Sequence, residues 1–274
     1  MRLVPWLLLA CAISVFYDLT PFTHLPLPPV ADNNWESLTK PTLLESTESE
    51  DKTVKATTLI TIQTKRGPIS MHYYPGKDAS TGLVVVGGIG TGFDSPAAGL
   101  YERLGNDLTA SGVSTVHLCF RQIDPFPDTV HDVRAAVKWL NQLGLKKVIA
   151  IGHSLGGASV ISAASYEPSV IGIATLCSQP YGANRVHTMT DKRLFIGAGL
   201  FDVVEPPCWS SSIYREARCD KQLHYYPAIH TLDSRETLST RICISGQLIN
   251  ALRSNRQGNL KIPGYSMAYL CSKD

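Results

Sequence analysis

No two cysteines of this 274-residue chain stand at CxxC spacing: Cys11, Cys119, Cys177, Cys208, Cys219, Cys243 and Cys271 are scattered along it. The sequence signature of a zinc site is therefore missing, and no metal is expected. A surplus of one charge is missing as well. Twenty-five Lys and Arg stand against 23 Asp and Glu, a net charge of +2 with mixed signs, and without a basic stripe there is no electrostatic case for nucleic acid. No apolar run reaches the roughly 20 residues that span a bilayer comfortably. No G-x-x-x-x-G-K-[ST] occurs, and Gly88-Ile89-Gly90-Thr91-Gly92 misses G-x-G-x-x-G because position 93 is Phe. A nucleotide cofactor is thereby disfavoured, and no cofactor of any kind is expected.

What is present is ordinary globular material, 44% hydrophobic and 18% charged, enough for one α/β domain with extra sequence at an end. A chain this long buries a large core without staples. Residues 1–19 open with Arg2, run uncharged from Leu3 to Tyr17, and resemble a signal peptide or membrane anchor. Ala10-Cys11-Ala12 has a cleavage-site form, and Leu9-Ala10-Cys11 resembles a lipoprotein site, both very early. Arg2 before and Asp18, Asp32 and Glu36 after this run favour a domain outside the cytoplasm, exported or membrane-associated. Residues 20–55, rich in Pro, Ser, Thr and Glu, read as a tether with little regular structure, which leaves 56–274 as the folded domain. Cys119 and Cys177 lie in apolar runs and read as core thiols. Cys208, Cys219, Cys243 and Cys271 could pair in an exported domain, with a connectivity the sequence does not reveal.

From Ala56 the pattern becomes regular. Thr57 to Thr64 and Pro68 to Tyr74 read as a hairpin around Arg66-Gly67. Gly82 to Val86, Val113 to Cys119, Lys147 to Ile151, Ser169 to Leu176, Arg193 to Gly197 and Gln222 to Tyr226 read as strands. A helix is expected from Ser95 and Pro96, with Leu100, Leu104 and Leu108 on one face and Gly112 as its stop. A second is expected over Asp128 to Leu143, with Val130, Val133, Val137 and Leu140 at helical spacing. A third follows Ser154, and Asp233 to Glu236 reads as a capping box for a fourth, through Leu252. Strands alternating with helices imply a mostly parallel sheet with helices on both faces, the hairpin adding antiparallel strands at one edge.

Within Gly152-His153-Ser154-Leu155-Gly156, Ser154 stands between a strand and a helix, as the strained turn of a nucleophile elbow requires. A serine nucleophile needs a base, and the base an orienting acid, here expected later in the chain in the order acid, then His. His187, His224 and His230 follow Ser154; His224 falls within a strand and His187 in a connection, whereas His230 lies in the loop after the last strand. Asp202, just past the strand Arg193 to Gly197, is the preferred acid, with Glu205 as runner-up and Asp233 read as a cap. Gly87 to Gly92 offers an exposed backbone, so the oxyanion donors are expected to be the N–H groups of Ile89 and Leu155.

These residues resemble the α/β-hydrolase family over 82–252: Val-Val-Gly-Gly-Ile-Gly at the oxyanion loop, Asp132 to Val137 before the nucleophile strand, Gly-His-Ser-Leu-Gly-Gly at the elbow, then Asp202-Val203-Val204 and His230. Gly87-Gly88 replaces the His-Gly frequent there. The resemblance implies a serine hydrolase acting on a small-molecule or lipid ester, esterase- or lipase-like, through an acyl-serine intermediate. A thioesterase or acyltransferase with the same triad, or a catalytically silent binding protein of the fold, are the alternatives. Cys177 to Lys192 is too short for a folded lid, so an open pocket is expected, bounded by Phe120 to Pro127 and by Gln179, Pro180 and Tyr181.

Overall fold

The computed structural model describes residues 43–50, 57–90 and 92–233. Its strands are β1 (Leu43–Glu50), β2 (Thr58–Thr64), β3 (Gly67–Tyr74), β4 (Thr81–Val86), β5 (Val113–Cys119), β6 (Lys147–His153), β7 (Val170–Leu176), β8 (Arg193–Gly199) and β9 (Asp220–Tyr226). Between them run α1 (Pro96–Thr109), α2 (Phe126–Gln142), α3 (Leu155–Ala164) and α4 (Pro207–Glu216). The strands form a single nine-stranded sheet in the order β1-β2-β3-β5-β4-β6-β7-β8-β9. β1, β2, β3 and β5 pair antiparallel in turn, and every pair from β5 across to β9 is parallel. The expected mixed, mostly parallel sheet is therefore the observed one.

β4 is buried along its whole length, which is why it reads as a continuous apolar run rather than an alternating one. The alternation is still present, between two cores. Leu83 and Val85 point to one face, where Leu100, Leu104 and Leu108 of α1 cover them. Val84 and Val86 point to the other, against Val133, Val137 and Leu140 of α2 and Val160 and Ile161 of α3. Burial of each such side chain is worth about 1.5–3 kcal/mol, so the apolar stripes of α1 and α2 determine which helix takes which face.

β4 has β5 on one side and β6 on the other. The strand order reverses there, so the loops leaving β4 and β6 diverge and open a crevice at the carboxyl ends. The fold thus assigns a place for a site before any side chain is considered.

Three elements depart from the sequence reading. Leu43–Glu50, expected to be tether, pairs along β2 from Leu43↔Thr64 to Glu50↔Thr58. Edge pairing uses backbone groups and demands no apolar pattern, so composition conceals it. Second, Ala97, Ala98 and Gly99 have φ of 49°, 46° and 85°, so regular helix begins only at Leu100. The Ser95 Oγ still accepts one N–H of the first regular turn, that of Tyr101, at 2.9 Å. Third, α4 was not anticipated, because Pro207–Glu216 buries only Ser210 and Ile213 and lacks a 3.6-residue apolar repeat. The expected helix after Asp233 and the 1–19 segment lie outside the described residues. Among the described residues no helix is long and apolar enough to cross a membrane.

Candidate active site

Ser154 forms the junction of β6 and α3, with φ 55° and ψ −121°, outside the regions a side-chain-bearing residue normally occupies. Its N–H donates to the Leu176 carbonyl at 2.9 Å, and its own carbonyl accepts from Gly157 at 3.0 Å and Gln179 at 3.4 Å. These bonds hold the turn against its strain. The flanking glycines have a steric role. A Cβ on Gly152 would collide with the Gly156 carbonyl, and one on Gly156 with the Gly87 carbonyl. Gly88 of the β4 loop approaches from the opposite side: a Cβ there would lie 3.0 Å from the Ser154 Cβ and 3.4 Å from its Oγ.

His230 and Asp202 meet, 28 residues apart in sequence, with Nδ1 of the imidazole 2.8 Å from Oδ2 of the carboxylate. β8 ends at Gly199 and β9 at Tyr226, and these neighbouring strands carry the two loops. The loops are stitched by Leu200 N–H to Tyr226 carbonyl at 2.8 Å and Phe201 N–H to Ala228 carbonyl at 3.0 Å. The other carboxylate oxygen of Asp202 accepts the N–H groups of Val204 at 2.9 Å and Glu205 at 2.8 Å. A carboxylate gripped on both oxygens has one orientation, and it is directed at His230.

His153, the variable residue of the elbow, ties the two halves together. Its Nε2 is 2.9 Å from the His230 carbonyl, and the two rings lie 4.7 Å apart. The His230 loop is anchored once more by the Ala97 N–H, which donates to the Thr231 carbonyl at 2.8 Å. Of the other histidines, His224 stays in β9 stacked on Phe195, and His187 lies exposed on a 3-10 turn (Asn184–Thr188), so neither joins this cluster.

A family model described as alpha/beta hydrolase fold matches residues 89–205. The solved structure of Est1E from Butyrivibrio proteoclasticus superposes with a TM-score of 0.56 at 14% identity, covering 76% of this chain and 98% of that one. An acetyl xylan esterase from Paenibacillus sp. R4 gives 0.62 at 12% identity, covering 80% and 92%. The esterase domain of a Rhodothermus marinus protein gives 0.57 at 18%, covering 71% and 96%. No curated protein matches the chain by sequence. The chain is an α/β-hydrolase-fold protein.

Within this hydrolase fold burial and hydrogen bonding together set the charges around the pair. Burial raises the Asp202 carboxyl, but the hydrogen bond from His230, the N–H of Glu205 and the His230 charge outweigh it and hold the group below its usual value. Glu205 goes the other way: burial and the Asp202 charge push it up to about 7, against the opposing pull of His230. Burial lowers His153, which stays a neutral ring and donates Nε2–H to the His230 carbonyl.

Ile89 is 67% exposed in the β4 loop, and Leu155 opens α3, where an N–H has no intrahelical partner. That loop is held by Asp94, which sequence reading passed over. Its carboxylate accepts the Gly88 N–H at 3.4 Å, and its carbonyl is 3.1 Å from Nε2 of the buried His117. An acid a few residues past a glycine run was the available signal. Cys177 reads as a core thiol and is buried, but its sulfur also lies within 4.8 Å of an Asp202 carboxylate oxygen. Cys119, Cys177, Cys208 and Cys219 are free thiols.

The connection 177–192 buries Ala183, Val186 and Met189 in the core and so lies down on the domain instead of rising as a lid. Tyr181 meets Phe126 of α2 edge-on at 5.5 Å, joining the two segments expected to border the pocket.

Proposed function

We propose that this protein is a serine hydrolase that cleaves carboxylic esters through an acyl-Ser154 intermediate. The observation that supports this most directly is the 2.8 Å hydrogen bond between His230 Nδ1 and Asp202, in a fold whose elbow carries Ser154. With Nδ1–H committed to the carboxylate, Nε2 is the free, basic nitrogen. His230 takes the Ser154 proton at Nε2 as the hydroxyl attacks the ester carbonyl, then returns it to the leaving alcohol. A water molecule, deprotonated by the same nitrogen, releases the acid. Asp202 keeps the imidazole in this tautomer and stabilises its charged form. The N–H groups of Ile89 and Leu155 receive the oxyanion, the latter at a helix N-terminus where the dipole favours negative charge. The esterases that share the fold support an ester substrate. A membrane or export role for residues 1–19 is part of the same reading, for a domain meeting its ester outside the cytoplasm.

The test is a chain-length series of nitrophenyl esters together with a fluorophosphonate probe. Ser154→Ala should lose turnover and labelling together. Labelling that persists in this variant, or its absence in the wild-type chain, would overturn the proposal.

A further inference from the structure

Cys177 ends β7 with φ 46°, a left-handed conformation that glycine adopts far more readily, and its side chain is 1% exposed. The strained backbone brings the thiol beside the Asp202–His230 pair. One ligand-type atom each from Cys177, Asp202 and His230 lies within 4.8 Å of the other two. Elsewhere the thiols are dispersed, and no other such group of His, Cys, Asp and Glu occurs among the described residues.

We propose that Cys177, Asp202 and His230 form a binding site for zinc or a similarly thiophilic divalent cation, and that occupancy switches the hydrolase off. Thiolate, carboxylate and imidazole nitrogen are three of the usual donors of a tetrahedral zinc centre, and water completes the fourth position. The sulfur selects against magnesium and calcium, which take oxygen ligands. Two anionic donors balance the charge of the ion. The His230 side chain, 18% exposed, provides the approach from solvent.

The protons determine the consequence. On binding, Cys177 loses its S–H proton to solvent and forms the sulfur–metal bond. His230 ligates through Nδ1, the nitrogen already turned to Asp202, so its one neutral-state proton moves to Nε2. An Nε2 that carries a proton cannot accept one from Ser154. Inhibition thus arises from a tautomer change, with the substrate crevice still open. This consequence rests on His230 being the base; the site itself does not.

Titration of the reduced full-length chain with cobalt(II) tests the site directly, through the thiolate-to-cobalt charge-transfer band. One equivalent should develop the band and zinc should bleach it. Cys177→Ser should abolish the band and weaken zinc binding by calorimetry at least about 100-fold, since even outer partners of a metal ligand are worth 10- to 100-fold. His230→Gln leaves the strained backbone at 177 untouched and should weaken zinc binding comparably, whereas Cys208→Ser and Cys219→Ser should not. A band that survives in Cys177→Ser, or no stoichiometric binding to the wild-type chain, would overturn the site. One equivalent of zinc should also stop fluorophosphonate labelling of the wild type, and should spare Cys177→Ser relative to that variant's own metal-free labelling. If no form of the chain labels, the esterase reading falls while the cobalt band still decides the metal site.

Discussion

Ser154 and Cys177 each carry a side chain at positive φ, and they stand one strand apart at the ends of β6 and β7. Conformations of this kind cost on the order of 1–3 kcal/mol each and persist where surrounding bonds hold them. The Ser154 N–H to Leu176 carbonyl and Cys177 N–H to Gly197 carbonyl bonds, at 2.9 and 2.8 Å, do that here. Gly88 belongs to the same tightly fitted group. Gly88→Ala would bring a methyl to 3.0 Å from the Ser154 Cβ, displacing either Ser154 or the loop that carries Ile89. A small misplacement of reacting groups is expensive, so the variant should lose about 10- to 100-fold in kcat/KM on a nitrophenyl ester. An unchanged rate would mean that Gly88 does not bear on the reacting atoms.

At the scale of elements, α1 depends on a close approach. A Cβ on Gly105 would lie 2.8 Å from the ring of Tyr74, which is fully buried. Gly105→Ala should destabilise the domain by about 1–3 kcal/mol through overpacking, despite the higher helix propensity of alanine. Urea denaturation measures this; a stabilised variant would show that α1 can move away without cost. Elements of this sort were legible in the sequence because apolar periodicity records burial directly, and the Leu100, Leu104, Leu108 stripe emerged as expected. The candidates Ser154, Asp202 and His230 could be named for a different reason, since order along the chain and strand ends limit where a proposed acid and base can stand. What stayed hidden leaves no apolar pattern. β1 is held by backbone pairing, α4 buries two residues, and the left-handed turn at Ala97 is fixed by Arg103 reaching back to the carbonyls of Ala97 and Ala98. The partnership of Cys177 with Asp202 is likewise a matter of three dimensions.

For the molecule as a whole, buried titratable groups set how stability follows pH. Burial lowers His117 and His131 to about 4, so between there and 6.5 the unfolded chain binds more protons and stability rises with pH. Burial raises Glu205 to about 7 and Asp132 to about 6, so from their usual values up to these points the folded chain binds more protons and stability falls as pH rises. The two groups oppose each other. Glu205→Gln removes one opposing contribution, so stability should climb more steeply from pH 4.5 to 7 than in the wild type, as urea midpoints at several pH values would reveal. Parallel profiles would show that Glu205 is not held in its neutral form. The connection 177–192 has a consequence of another kind. Ser154, Asp202 and His230 each hang from a different strand, while this stretch carries none of them. A cap domain spliced into its exposed portion at Thr188 or Thr190 would roof the crevice without disturbing the chemistry below. The domain is in this sense a chassis, whose choice of substrate can be rebuilt from above by lengthening one loop.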